Sequence, residues 1–390
     1  MPGTPVKAAL LCAALCSAAF AEDVAAVCDA GWARMMQTRW FEPTGLVYGR
    51  EPARVRSSAG AVGGLFRWKE GAGYGAGMSD CALVCGTALA GLADRESALR
   101  DGSTRDVAAK VARGVLNLAK LHGFRGFVAR GICPDDCRTI CALSSRDQLT
   151  HWLHGLWRYS RSPAADPALV AEWRSLVADV ARRIEETATE ERGWNFGQAD
   201  GAPDPRGICT MWGPDVLPHE AARLPMVYAA AFMATGDGHW RDLYERCIDE
   251  ALDRTLEIEG PGRAGFLKKM PNYALCQAAA SLELIRALET NPARLEKIDA
   301  AMRAFAAIAA ARAKAALGKP DAKQYGMCWD GELALAMLMA PEDARPEWLP
   351  RFVEESVRRE PLDTASTCRA AHMLAACWRM RLAAGLRAAP

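Results

Sequence analysis

Twelve stretches of this chain repeat apolar residues three and four apart, and they alternate between two kinds of helix. One kind is amphipathic with a charged face, at about 24–40, 104–121, 167–187, 239–256, 293–315 and 346–358. The other is nearly apolar all round, at about 79–93, 145–160, 224–235, 272–289, 330–340 and 364–382. A helix apolar on every side has no face to give to water and must be buried. Almost nothing alternates at period two, so the expected class is all-α. Six hairpins, none able to bury its own apolar helix, read as a repeat architecture. Six buried helices inside six outer ones make an (α/α)6 toroid. A superhelical solenoid gives the same pattern, so ring closure rests on the count of six.

Local chemistry agrees with this division. Alanine dominates many of the segments, which favours helix and lets helices approach closely. At Ala234-Thr235-Gly236-Asp237-Gly238, Gly236 suits a helix C-terminus and Asp237 can cap the next helix.

Residues 1–21 are set apart from the fold. Lys7, the apolar run 8–16 and Ala19-Phe20-Ala21 before Glu22-Asp23 read as an export signal with its cleavage pattern. Neither Cys12 nor Cys16 has the small-residue context of a lipidation site. The expectation is therefore export to a periplasmic or extracellular space, with 22–390 forming one toroid domain. No later apolar stretch is long enough to cross a bilayer. The 48 Lys+Arg against 47 Asp+Glu give no electrostatic reason to expect nucleic acid.

The connectors leading into the apolar helices are long, at 41–78, 122–144, 188–223, 257–271 and 316–329, whereas 161–166 and 236–238 are short. Long ordered loops on one face of a rigid scaffold are where sites form. The first long connector ends Met78-Ser79-Asp80, and the second carries Arg130, Ser144-Ser145-Arg146-Asp147-Gln148 and, one turn later, His151. The third holds Trp194, Trp212, His219, Glu220 and Arg223, with Tyr228 inside its helix. The next two give Lys268, Lys269, Asn272 and Tyr273, then Tyr325, Trp329, Asp330 and Glu332; the last offers Asp363, Ser366 and Arg369.

The stretch from Ala222 to Ala231, followed by Ala234-Thr235-Gly236-Asp237 and Trp240-Arg241-Asp242-Leu243-Tyr244, resembles the six-hairpin glycosidase group. Within it, the chain is most similar to unsaturated glucuronyl hydrolases and their rhamnogalacturonyl relatives. The likeness covers the mature chain as architecture and this hairpin as local motif. It implies two aspartates at inner-helix starts, one of them an acid-base donor, and Asp80 and Asp147 occupy comparable starts. The same ring carries polysaccharide lyases, epimerases and prenyl-chain enzymes, so fold alone does not settle function.

Glycoside hydrolysis needs one carboxyl to protonate the leaving oxygen and a second to activate water or attack. Asp80 and Asp147 are the first candidates, with Glu220 and Asp330 as alternates. An aspartate in a first helical turn is also favoured by the dipole, and Ser79 or Ser145 is an ordinary cap. Arg130, Arg223, His151, Tyr228 and Asn272 are the expected substrate-binding residues. A guanidinium fork matches a carboxylate, which suggests a uronate-containing oligo- or polysaccharide. Trp194, Trp212 and Trp329 could stack on sugar faces or simply pack between loops. A lyase remains open, with His151 or His219 as base and Tyr228, Asn272 and Arg130 in support. So does a glycan-binding toroid without catalysis, whose carboxylates merely cap helices.

The cysteines add little to this. Cys133, Cys137 and Cys141 do not match zinc-ribbon spacing, and in an exported chain a disulfide of Cys133 with Cys137 or Cys141 is the better expectation. Cys81, Cys85, Cys276, Cys368 and Cys377 fall on apolar helices as small apolar residues. No P-loop, Rossmann fingerprint, H-E-x-x-H or G-x-S-x-G stands in a suitable context, so no cofactor or metal is expected.

Overall fold

The computed structural model describes residues 24–37, 41–49, 65–66, 78, 80–134, 136–259, 267, 270–318, 330–359, 362 and 367–385. The expected leader at 1–21 lies outside them, as do Trp329, Tyr325, Lys268, Lys269, Ser79, Asp363 and Ser366.

The described chain is all-α, and each of the twelve expected segments contains a helix. They are α1 (24–37), α2 (Cys81–Leu99), α3 (Arg105–Lys120), α4 (Arg146–Ser160), α5 (Pro167–Thr187) and α6 (Arg223–Thr235). There follow α7 (Gly238–Leu256), α8 (Asn272–Leu288), α9 (Pro292–Ala316), α10 (Asp330–Met339), α11 (Leu349–Arg359) and α12 (Thr367–Ala383). The only described strands are two-residue pieces, β1 (Leu65–Phe66) and β2 (Ile140–Cys141), paired in parallel.

Caps set several boundaries. Gly236 closes α6 in a left-handed conformation, and the Asp237 carboxylate accepts from the His239 N–H to open α7. Asp166 and Asn291 do the same ahead of Pro167 and Pro292, where a proline ring fits the first turn. One end differs from expectation: α2 runs to Leu99 rather than 93. Its polar tail looks like an approach to solvent, yet Asp94 and Glu96 are buried, and Glu96 accepts from the N–H groups of Gly102 and Thr104.

The even-numbered helices form the core. Every residue of α10 is buried, and so are most of α4, α6 and α8. Along the chain each packs on the next, α2 on α4 through to α10 on α12, and α12 returns to pack on α2. The odd-numbered helices pack against this set from their hairpin partners, as α7 does on α6 and α9 on α10. Two contacts show how closely the core helices approach. A Cβ on Gly86 would fall 2.2 Å from the His151 carbonyl oxygen, and one on Gly91 would fall 2.8 Å from Ala375 Cα. Glycine is required at both points because backbone meets backbone there.

The N-terminal helix is held to the other end of the chain. Asp29 accepts from Trp378 Nε1 at 2.7 Å and from Arg95 Nε at 2.9 Å. No described helix is long and apolar enough to cross a membrane.

Candidate functional site

The starts of the core helices converge. Gln148, on the first turn of α4, reaches the start of α2 with both ends of its amide. Its nitrogen donates to Asp80 Oδ1 at 2.9 Å, and its oxygen accepts from the Leu83 N–H at 3.0 Å. Gln148 thereby satisfies one of the N–H groups that every helix start leaves over. Asp80, in the N-cap position, makes no capping bond with its own side chain. On α4 the cap is Ser145, whose hydroxyl accepts from the Gln148 N–H. Neither aspartate is therefore spent on side-chain capping.

Asp147 meets Arg223, which is almost wholly buried at the start of α6 and donates through its other terminal nitrogen to Gln277 Oε1 of α8 at 2.6 Å. The Asp147 side chain keeps 28% of its surface accessible, so a ligand can reach it. Its low-dielectric surroundings oppose ionisation, but Arg223, with Arg146 and Arg130 beyond, outweighs them and holds the carboxyl below its usual range. Asp147 is an anion at neutral pH. Arg146 donates to Glu220 and to the carbonyls of Gly207 and Thr210, tying the long 188–223 connector to the start of α4. His219, 3.6 Å from Glu220, is pushed down to about 3 by burial and by Arg223 and Arg146. Arg130 donates to Ser145 Oγ at 3.2 Å.

Below this end the core helices line a cleft with about 370 Å³ of empty space, its open mouth included. Its polar wall is Thr87, His151 and Cys276 and, toward the far end, Asp94, His154, Glu283 and Arg379; Ala90, Ala280, Leu335, Met339 and Ala375 make the apolar wall. His151 lies one turn beneath Asp147 on the same face of α4. The Thr87 hydroxyl gives its proton to the Leu83 carbonyl at 2.9 Å, so it must accept from His151 Nδ1–H at 2.9 Å. That fixes the tautomer. Nε2 carries a lone pair and is buried without a hydrogen-bond partner. Burial first, then His372, His154 and Arg223, keep this imidazole neutral.

The far end holds a second cluster that sequence reasoning missed. Asp94, Arg158, Glu283 and Arg379 come from late turns of α2, α4, α8 and α12 and share two carboxylates between two guanidinium groups. His154 adds a contact to Glu283 at 2.8 Å, and burial with the two arginines pushes it down to about 3. The signal was in the sequence: Asp147, His151, His154 and Arg158 stand at spacings of four, three and four, one polar stripe on an apolar helix.

Of the expected site residues, Asp80, Asp147, Glu220, Arg130 and Arg223 are linked at the N-terminal end, with His151 beneath. Others face elsewhere. Asn272 accepts from Arg312 of α9, and it is the neighbouring Tyr273 whose hydroxyl feels Asp147, Arg223, Glu332 and Glu220. Asp330 pairs with Arg359 of α11 at 3.0 Å. Tyr228 is buried, its hydroxyl pushed up chiefly by burial and then by Cys247 of α7 and Glu185 of α5. The Arg254 guanidinium lies 5.1 Å over the Trp212 ring, and Trp194 packs against Gly213, so both indoles fill spaces between loops.

The expected disulfide is also corrected. Cys133, Cys137 and Cys141 are not bonded to one another, and Cys137 Sγ donates to the Pro134 carbonyl. Among the described residues no three His, Cys, Asp or Glu side chains are grouped so as to hold a metal ion.

Comparison with protein-family models, with curated proteins and with solved structures finds no match to the chain.

Proposed function

We propose that the cyclic order of the core helices is an (α/α)6 toroid, and that its N-terminal rim carries a glycoside hydrolase site for a uronate-containing saccharide. The carrying observation is a pair of aspartates on adjacent helix starts. Asp147 is held anionic by Arg223, and the Gln148 amide joins the two starts by donating to Asp80. Hydrolysis of an acetal uses two carboxyls, one donating a proton and the other remaining ionised. Asp147 takes the anionic role, Asp80 the donor role, and Arg130 with Arg146 supplies cationic surroundings for a substrate carboxylate.

A β-eliminating lyase is the weaker reading. Its base would be His151 or His219, and both are held well below the range in which an imidazole binds a proton at neutral pH. Export after cleavage near Ala21 is part of the same proposal and rests on the leader sequence alone.

The test is product analysis on uronate-containing oligosaccharides. Hydrolysis yields new reducing ends without a rise in ultraviolet absorbance, and Asp80→Asn and Asp147→Asn each lower turnover by roughly 10²–10⁴-fold. An unsaturated, absorbing product selects the lyase. Thermal stabilisation by saccharide with no turnover selects a binding protein. Full turnover in both variants removes the site assignment.

A further inference from the structure

Cys28 of α1 and Cys377 of α12 stand with their sulfur atoms 2.8 Å apart, both buried. Several other thiols are turned to backbone carbonyls: Cys137 to Pro134, Cys209 to Ser144, Cys247 to Leu243. These two face each other. Their approach does not depend on sulfur. The adjoining residues Asp29 and Trp378 are hydrogen-bonded at 2.7 Å, and Arg95 of α2 donates to the same Asp29 carboxylate, so three helices fix the register at this seam. A bond here would join residues 349 positions apart, close to the two ends of the described chain.

We propose that Cys28 and Cys377 form a structural disulfide that clasps α1 to α12 where the last core helix meets the first. The reaction is thiol–disulfide exchange. The thiolate of one cysteine attacks a disulfide oxidant RSSR, forming a mixed disulfide and expelling RS⁻. The second thiolate then displaces the remaining RS⁻. The cysteine pair loses two electrons and two protons, and the oxidant is reduced to two RSH molecules. Because both sulfurs are buried, exchange takes place while α1 is undocked, and the finished bond is shielded from reductant. This clasp is independent of the hydrolase reading.

The full chain is folded with glutathione disulfide, its remaining thiols are alkylated, and it is digested with trypsin without reduction. Mass spectrometry is expected to find the peptide 370–379, with Cys377 as its one cysteine, joined to the peptide that holds Cys28. Reduction under denaturing conditions should lower the melting temperature of the refolded protein by about 3–6 °C. Cys28→Ser should melt at the reduced value under both conditions. Finding Cys28 and Cys377 both alkylated in the oxidised, folded protein overturns the proposal. So does a Cys28→Ser protein that still responds to reduction; the crosslink map on the unaltered chain decides the matter if that variant does not fold.

Discussion

The two ends of the core cleft are built from the same helices and differ in how completely their polar groups are used. At the C-terminal end, Asp94 and Glu283 face Arg158 and Arg379 with a neutral His154 between, so charges cancel within the cluster. Among these side chains one buried nitrogen, Arg158 Nε, has no partner. At the N-terminal end more bonding capacity is left over: Arg223 Nε and Gln277 Nε2 are buried without partners although both side chains are otherwise engaged, and His151 Nε2 lies bare one turn below. Leaving such groups unpaired costs about 1–3 kcal/mol each, so the excess at this end favours a site there. The two ends lie about 16 Å apart along α4, at 1.5 Å per residue from Asp147 to Arg158.

Acid should test both ends together, with the largest effect. His219 lies at one end, His154 at the other, and His151 and His372 between; all four are held below 6.5, His372 to about 4. The unfolded chain binds protons on these rings below about pH 6.5 and the folded chain does not until its own lower values are reached. Stability therefore falls as pH drops through that window, by up to about 1.4 kcal/mol per pH unit for each ring and up to about 5.6 kcal/mol per pH unit for all four. Denaturant unfolding between pH 7 and 5 measures the slope. His154→Gln and His219→Gln should each remove one ring's share, and a flat profile in the unaltered protein would show that the rings are not held neutral.

Glu283→Ala separates the ends next. It leaves Arg158 and Arg379 with one carboxylate between them and should cost about 3–5 kcal/mol of folding stability while sparing turnover per folded molecule. Asp147→Asn should show the reverse balance, with turnover lost and a smaller stability change, because the amide oxygen can still accept from Arg223. Equal stability losses from both would dissolve the distinction between the charge cluster and the site.

The helices were legible in sequence because apolar periodicity is local, and all twelve appear within a few residues, the end of α2 excepted. That end was hidden because Asp94 and Glu96 look solvated and are instead buried by partners distant in the chain. The site was half legible for a related reason. Helix starts place Asp80 and Asp147, but a helix apolar on every side gives no sign of which face turns inward. Tyr228 was expected at the site and lies against α5 and α7. Gln148 and Gln277 carried no signal by themselves, since their importance comes from the residues they meet.

Asn272 and Tyr273 offer the finest test of this kind, because they are adjacent and point to different parts of the molecule. Asn272 accepts from Arg312 at 2.8 Å and joins α8 to α9. Tyr273 stands where burial and the Asp147 carboxylate push its hydroxyl up, so it remains a neutral donor beside the rim charges. Asn272→Ala should cost roughly 1 kcal/mol of stability, the worth of one hydrogen bond, and leave KM and kcat unchanged. Tyr273→Phe removes one oxygen from a half-buried ring, so stability should change by less than about 1 kcal/mol while turnover falls several-fold. If the effects are exchanged, the face of α8 that carries Tyr273 and Gln277 is not the one that meets substrate, and those two side chains serve packing alone.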